Sequence, residues 1–183
     1  HFDISRERSL RAVEEAMEQD QKIYLVTQRN VDREDPTQED LYRMGIVADI
    51  KQVVRLQNDV VRILVDGISR AALLGFTGCE KYLEAEICYC DSNADSLPED
   101  LREAMLLGVR EAFHRYAAVV GKISKELIRQ IDQYEDLEKL IDYVTNNLPV
   151  SYELKQQVLE AEDINDRYQV IVCLLYTSPS PRD

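Results

Sequence analysis

The residues best suited to chemistry are Cys79, Cys88 and Cys90 with Glu84 and Glu86, and His114. Cys88 and Cys90 stand two apart in a stretch that reads as a strand, on the face that carries Glu84 and Glu86. Thiolates and carboxylates on one face could begin a soft-metal site. A zinc centre, however, takes four ligands at recognisable spacing, usually paired C-x-x-C or Cys/His sets, and the only histidines are His1 and His114. The plainer reading is two small residues on a half-buried face. His114 lies in Phe113–His114–Arg115–Tyr116 with no nucleophile or carboxylate placed beside it by motif, so it reads as a partly exposed structural histidine.

Other catalytic patterns are missing. Gly121–Lys122 is followed by Ile123 and has no glycine five residues earlier, so it is not a phosphate-binding P-loop. No G-x-S-x-G nucleophile elbow occurs. The acidic runs Glu14–Glu15, Glu34–Asp35, Asp132–Asp136 and Glu160–Asp163 read as solvated faces and hinges, and the tyrosines as core or rim residues. No catalytic, cofactor-binding or metal residue is assigned, and the residues that touch a substrate are not legible. The residues alone describe a non-catalytic binding or assembly module.

Composition narrows the partners. The formal net charge of −13 over 183 residues disfavours nucleic acid, which needs a basic stripe to displace counterions, and also disfavours anionic membranes. It points to basic or neutral protein clients. No run of 18 apolar residues predicts a membrane span, and no charged and apolar leader opens the sequence. The four cysteines lack the spacing of a disulfide framework, which fits a reducing, cytoplasmic setting.

The elements that would position these residues fall into two kinds. His1–Ile4 reads as the end of an extended segment, followed by a helix capped by Ser5 or Ser9 and running to about Asp20. Leu10, Val13 and Met17 form its buried stripe, with Ala12 and Ala16 beside it. Lys22–Gln28 reads as a buried strand, Asn30–Thr37 as a loop, and Thr37 with Asp40 as a capping box over one turn. Ile46–Leu56 alternates, with Ile46, Ala48, Ile50, Val54 and Leu56 on one face. A turn at Gln57–Asp59 leads to Val60–Asp66, which Gly67 ends; Ile68–Phe76 and Tyr82–Cys90 are further strands. After a linker at Asp91–Asp95 the pattern becomes helical. Ser96, Pro98 and Glu99 form a helix start, and that helix stops at Gly121. A shorter helix covers Ile123–Ile131. A helical hairpin follows, with Leu137, Leu140, Ile141 and Val144 on one stripe, a break at Asn146–Pro149, and Leu154, Val158 and Leu159 on a second stripe that Ser151 caps. Strands followed by helices indicate an α+β chain: a β-rich lobe over residues 1–92 and a helical bundle over 93–172. Leu174–Asp183 is read as aperiodic. CLLYTSPSPRD from Cys173 resembles a sequencing-library adapter read in frame, so residues 173–183 are expected to be a non-native tail on a helix cut near Val172.

Several blocks together resemble a known family. HFDISRERSLRAVEEAMEQDQKIYLVTQRN, DPTQEDLYRMGIVADIKQVVRLQNDVVRILVDGISRAAL and LIDYVTNNLPVSYELKQQVLEAEDINDR occur in the order found in the N-terminal domain of bacterial Lon, the ATP-dependent serine protease. The likeness is greatest to Lon from clostridia-like Firmicutes. Asp40–Leu41–Tyr42, Gly45, Val65–Asp66–Gly67, Arg70, Leu148–Pro149 and Arg167 carry it, with Asp66 where the family usually has Glu. The resemblance implies a PUA-like β lobe, its first strand largely missing before His1, then a helical bundle. In the parent protein a long helix would lead from Glu160–Asp163 to an AAA+ ATPase, which uses ATP and magnesium, and to a Ser–Lys protease domain in a cytoplasmic homohexamer. The domain itself would help select unfolded or damaged proteins and stabilise the assembly. Two other readings stand beside it: a stand-alone adaptor or ligand-binding module of the same fold, and a small enzyme or metal protein using Cys88, Cys90 and the neighbouring Glu84 and Glu86.

Overall fold

The structure, a computed structural model, describes residues 1–57, 60–90, 93–121 and 123–177. The chain is α+β and divides into two compact units, His1–Asp91 and Ser92–Asp183.

The first unit is an antiparallel sheet with one helix. Its elements are β1 (Phe2–Ile4), α1 (Glu7–Glu18), β2 (Lys22–Leu25), β3 (Met44–Arg55), β4 (Val61–Phe76) and β5 (Ala85–Tyr89). The sheet runs β1-β4-β3-β2, and β5 also pairs with β4. The β3–β4 hairpin is the spine, closed by Leu56 N–H donating to Val60 O at 2.8 Å. Residues 58 and 59 of the expected turn lie outside the described residues.

Three bulges break the ladder. Lys51 is skipped between the Ile50–Val65 and Gln52–Leu64 pairs, and Ile68 between Ala48–Gly67 and Val47–Ser69. Leu74 is skipped between Leu73–Ile87 and Gly75–Glu86. Each extra residue reverses which side chains face inward, because the strand period is two. The expected single face Ile46–Leu56 is therefore corrected. Ile50 is buried, but past the Lys51 bulge it is Val53 that packs beside it, while Val54 and Leu56 are exposed. Gly67 does not end a strand either. It pairs with Ala48 inside a continuous 16-residue β4.

Two smaller corrections concern α1 and β2. The helix begins after Arg6, with no side-chain cap from Ser5 or Ser9. Val13 and Ala16 are its buried residues, and Met17 is exposed. β2 lies at the sheet edge, which leaves it half-buried and only four residues long.

The second unit is helical: α2 (Glu99–Val120), α3 (Lys125–Gln133), α4 (Leu137–Asn147), α5 (Tyr152–Glu160) and α6 (Ile164–Thr177). Phe113, Val109, Ile131, Leu137, Leu140, Ile141, Val144, Ile164 and Ile171 form the centre of its core. The α4 stripe is buried as its spacing predicts. Gly121 ends α2 in the left-handed conformation (φ 68°), which only glycine adopts at little cost. Ser96 is not the cap of α2. It belongs to a 3₁₀ turn, Ala94–Ser96, and Pro98, with its fixed φ, occupies the N-cap position. Asp163, read as part of a hinge, caps α6 by accepting from Asp166 N–H at 2.9 Å. Leu174 and Leu175, three and four residues past Ile171, are buried. The expected aperiodic stretch is thus helical to Thr177; residues 178–183 lie outside the described residues.

Candidate functional site

The sheet unit holds a cleft of about 510 Å³ lined by Arg29, Gln38, Glu39, Leu41, Tyr42, Arg43 and Leu73. Its walls follow from the backbone. Antiparallel pairing continues past β2 and β3 as a bridge between Gln28 and Leu41. Arg29 N–H donates to Asp40 O at 2.7 Å, and Tyr42 N–H to Thr27 O at 2.9 Å. This brings Arg29 and Tyr42 together across the ladder. The Arg29 guanidinium lies 4.4 Å from the centre of the Tyr42 ring, and its Nε donates to Leu41 O at 3.1 Å.

The rim is set by the capping box. Asp40 accepts from Thr37 N–H at 2.8 Å and from Thr37 Oγ1–H at 2.7 Å, and pairs with Arg33. The Thr37 N–H and hydroxyl, then the Arg33 guanidinium, hold the Asp40 carboxyl below its usual range. The short turn Gln38–Asp40 is thereby fixed, and Gln38 Nε2 donates to Leu74 O at 3.1 Å. That carbonyl belongs to the bulged residue of β4, so the bulge supplies an anchor for the rim.

Beside the cleft, Tyr24 packs on Gly45. A Cβ on Gly45 would lie 2.6 Å from Tyr24 Cζ and would also strike Leu25 O, which is backbone. The Tyr24 hydroxyl donates to Ala71 O at 3.1 Å. Burial, and then the nearby Cys90, push the Tyr24 phenol up to about 12.

The helical unit holds a second cleft, about 570 Å³, where α3 gives way to α4. The Tyr134 and Tyr143 rings lie 4.9 Å apart, and Tyr143 donates its hydroxyl proton to Gln130. Arg110 donates to Tyr134 O, and Asp136 caps α4 by accepting from Lys139 N–H at 2.9 Å. Arg167 is 2% exposed; it pairs with Asp142, lies 3.6 Å from Glu138, and donates from Nε to Val158 O.

The sequence-derived candidates separate. Cys88 is exposed at the end of β5, and Cys90 Sγ contacts Met44 Sδ at 3.9 Å. Glu84 instead accepts from the Thr77 hydroxyl. Among the described residues, no group of three His, Cys, Asp or Glu is placed to hold a metal ion. His114 does have a carboxylate: its Nε2 lies 2.8 Å from Asp132 Oδ1 across α2 and α3. Eighteen residues separate the two, so no local motif announces the pair. The Arg29–Tyr42 stack was equally hidden. Its one trace in the sequence is the Thr37/Asp40 capping box, which predicts the turn that carries the rim.

Among the described residues the chain is an antiparallel sheet unit followed in sequence by a unit of five α-helices, and this fold is shared with solved N-terminal domains of Lon proteases. The N-terminal domain of the Mycobacterium avium complex Lon protease superposes with a TM-score of 0.75 at 19% identity, over 97% of this chain and 90% of that one. The Xanthomonas campestris Lon N-terminal domain protein gives 0.61 at 13%, over 97% and 88%. These likenesses show the fold. Residues 1–176 match the family model of the ATP-dependent protease La (LON) substrate-binding domain, and the chain belongs to that family. It is 35% identical to the Lon protease of Lachnoclostridium phytofermentans over 96% of its length, and 33% identical to that of Brevibacillus choshinensis over the same share. In both cases the chain spans 22% of the relative's length. Among the described residues no helix is long and apolar enough to cross a membrane.

Proposed function

We propose that this chain is the substrate-recognition and assembly domain of a cytoplasmic, ATP-dependent Lon-type protease, and does no chemistry itself. The observation that carries the reading is the family match over residues 1–176, together with relatives whose sequences are several times longer. Catalysis, with ATP and magnesium, then belongs to the parent protein beyond this region. The two lobes, residues 1–92 and 93–172, act by weak capture of exposed segments of unfolded or damaged proteins. Six copies in a homohexamer raise the effective concentration of such weak sites, so modest single-site affinity suffices.

The test uses reduced, unfolded α-lactalbumin labelled with a fluorophore. The chain is expected to bind it with micromolar or weaker affinity, to ignore the folded form, and to leave it intact with ATP and magnesium. Cleavage by the purified chain, or no discrimination between folded and unfolded protein, overturns the reading.

A further inference from the structure

The acidic chain predicts basic or neutral clients, yet the cleft of the sheet unit carries two arginines against one acid, Glu39. We propose that this cleft binds a carboxylate of the client polypeptide, an Asp or Glu side chain next to an apolar residue, with Arg29 as the group that receives it. The proposal rests on the polypeptide-binding function given above.

Three observations carry it. The Arg29 guanidinium is held in place by the Tyr42 ring, whose centre lies 4.4 Å from Cζ, and by its Nε bond to Leu41 O. Of the N–H donors, these contacts use only Nε. Among the described residues the terminal nitrogens make no ion pair, so the fork remains open to a ligand. A guanidinium already held by a ring and a hydrogen bond loses little freedom on forming two parallel bonds, which suits a planar carboxylate. Part of the lining is apolar, supplied by Leu41 and Leu73, both nearly fully buried. A flat carboxylate beside an apolar side chain fits that combination. A nucleic-acid backbone, by contrast, would bring a row of phosphates to a chain of net charge −13.

The test compares two labelled ten-residue peptides with amidated ends, identical except that two Glu residues in one are Gln in the other. Binding is measured by fluorescence anisotropy to the intact chain and to Arg29→Gln and Arg29→Lys, with circular dichroism confirming that the variants are folded. At low salt the Glu peptide is expected to bind about tenfold more tightly than the Gln peptide. That ratio should fall to near one in R29Q and to an intermediate value in R29K, which keeps the charge but loses the fork. Equal binding of the two peptides, or an unchanged ratio in R29Q, overturns the proposal. So does a single-stranded oligonucleotide that displaces the Glu peptide through Arg29, since the site would then take phosphate. Unfolded α-lactalbumin is bound in parallel. If it binds while the peptides are not distinguished, this inference alone fails; if it does not bind, the function proposed above fails.

Discussion

The two units are held together in different ways. In the helical unit, long stripes from α2, α4 and α6 meet in one cluster of side chains, with Phe113 and Val109 fully enclosed. In the sheet unit the apolar cluster under α1 gathers Val13, Ala16, Ile50 and Ile63, while Met44, Val47, Ala72 and Leu73 are buried along the ladder itself. The helical unit depends on what its side chains fill. The sheet unit depends on where its backbone runs. Deleting atoms should therefore damage the first more, and adding atoms should damage the second more.

The largest expected effect is in the helical unit, at Arg167. Replacing both Glu138 and Asp142 with alanine leaves a buried guanidinium without its carboxylates and should cost about 3–5 kcal/mol in urea unfolding. Arg167→Met removes the charge along with its need for partners, and should cost clearly less than the double variant. If the two cost the same, the cluster acts through packing and the contrast between the units weakens.

Next come two identical additions. Gly45→Ala sets a methyl against the Leu25 carbonyl and the Tyr24 ring, and the carbonyl cannot yield without moving β2. Gly108→Ala meets the hydroxyl end of Tyr168, with Cζ at 3.3 Å. We expect about 3 kcal/mol for G45A and about 1–2 kcal/mol for G108A by the same unfolding assay. Adding Tyr168→Phe should recover part of the G108A loss, whereas no side-chain trimming should rescue G45A fully. Equal costs at the two glycines would break the comparison.

The smallest effect is alkaline. The Tyr24 phenol is raised in the folded state to about 12 from an ordinary 10, so folding favours its protonated form. That contribution is complete below pH 10 and is lost as the pH rises toward 12. Thermal unfolding of the native chain should therefore fall toward that of Tyr24→Phe across pH 10–12. A gap between the two that stays constant over this window would mean the Tyr24 proton is not coupled to folding.

Legibility in the sequence follows the same division. The 3.6-residue stripe of α4 runs uninterrupted, so its spacing marks Leu137, Leu140, Ile141 and Val144 as core. In the strands the pattern places Val61, Ile63 and Val65 on one face, as found, but the Ile46–Leu56 face fails beyond Lys51, where Val54 and Leu56 are exposed. Nothing in the residue types at Lys51, Ile68 or Leu74 marks an inserted residue, and one such insertion turns every later side chain over. Gly67 invites a break in the reading, yet a glycine inside a strand often marks a bulge, and here it pairs with Ala48 beside the Ile68 bulge. The Arg29–Tyr42 stack joins residues thirteen apart through a bridge outside the regular strands, and the His114–Asp132 pair spans two helices. Both are products of tertiary placement, which local spacing does not encode. The overall resemblance to Lon was legible because whole blocks in order survive such local irregularity.

The bulges also bear on how the sheet comes together in time. The β3–β4 hairpin closes a short loop at Leu56 and Val60, so it can form early at small entropic cost. Zippering away from that loop passes Lys51 and Ile68 before it reaches Met44 and Ala72. Each extra residue fits one alignment of the two strands, so a slipped hairpin would stall at the first mismatch and have to reopen. The two irregularities of the hairpin thus serve as checkpoints, and β2, whose pairing with β3 spans both sides of the Ile68 bulge, completes the sheet only on a correctly aligned template.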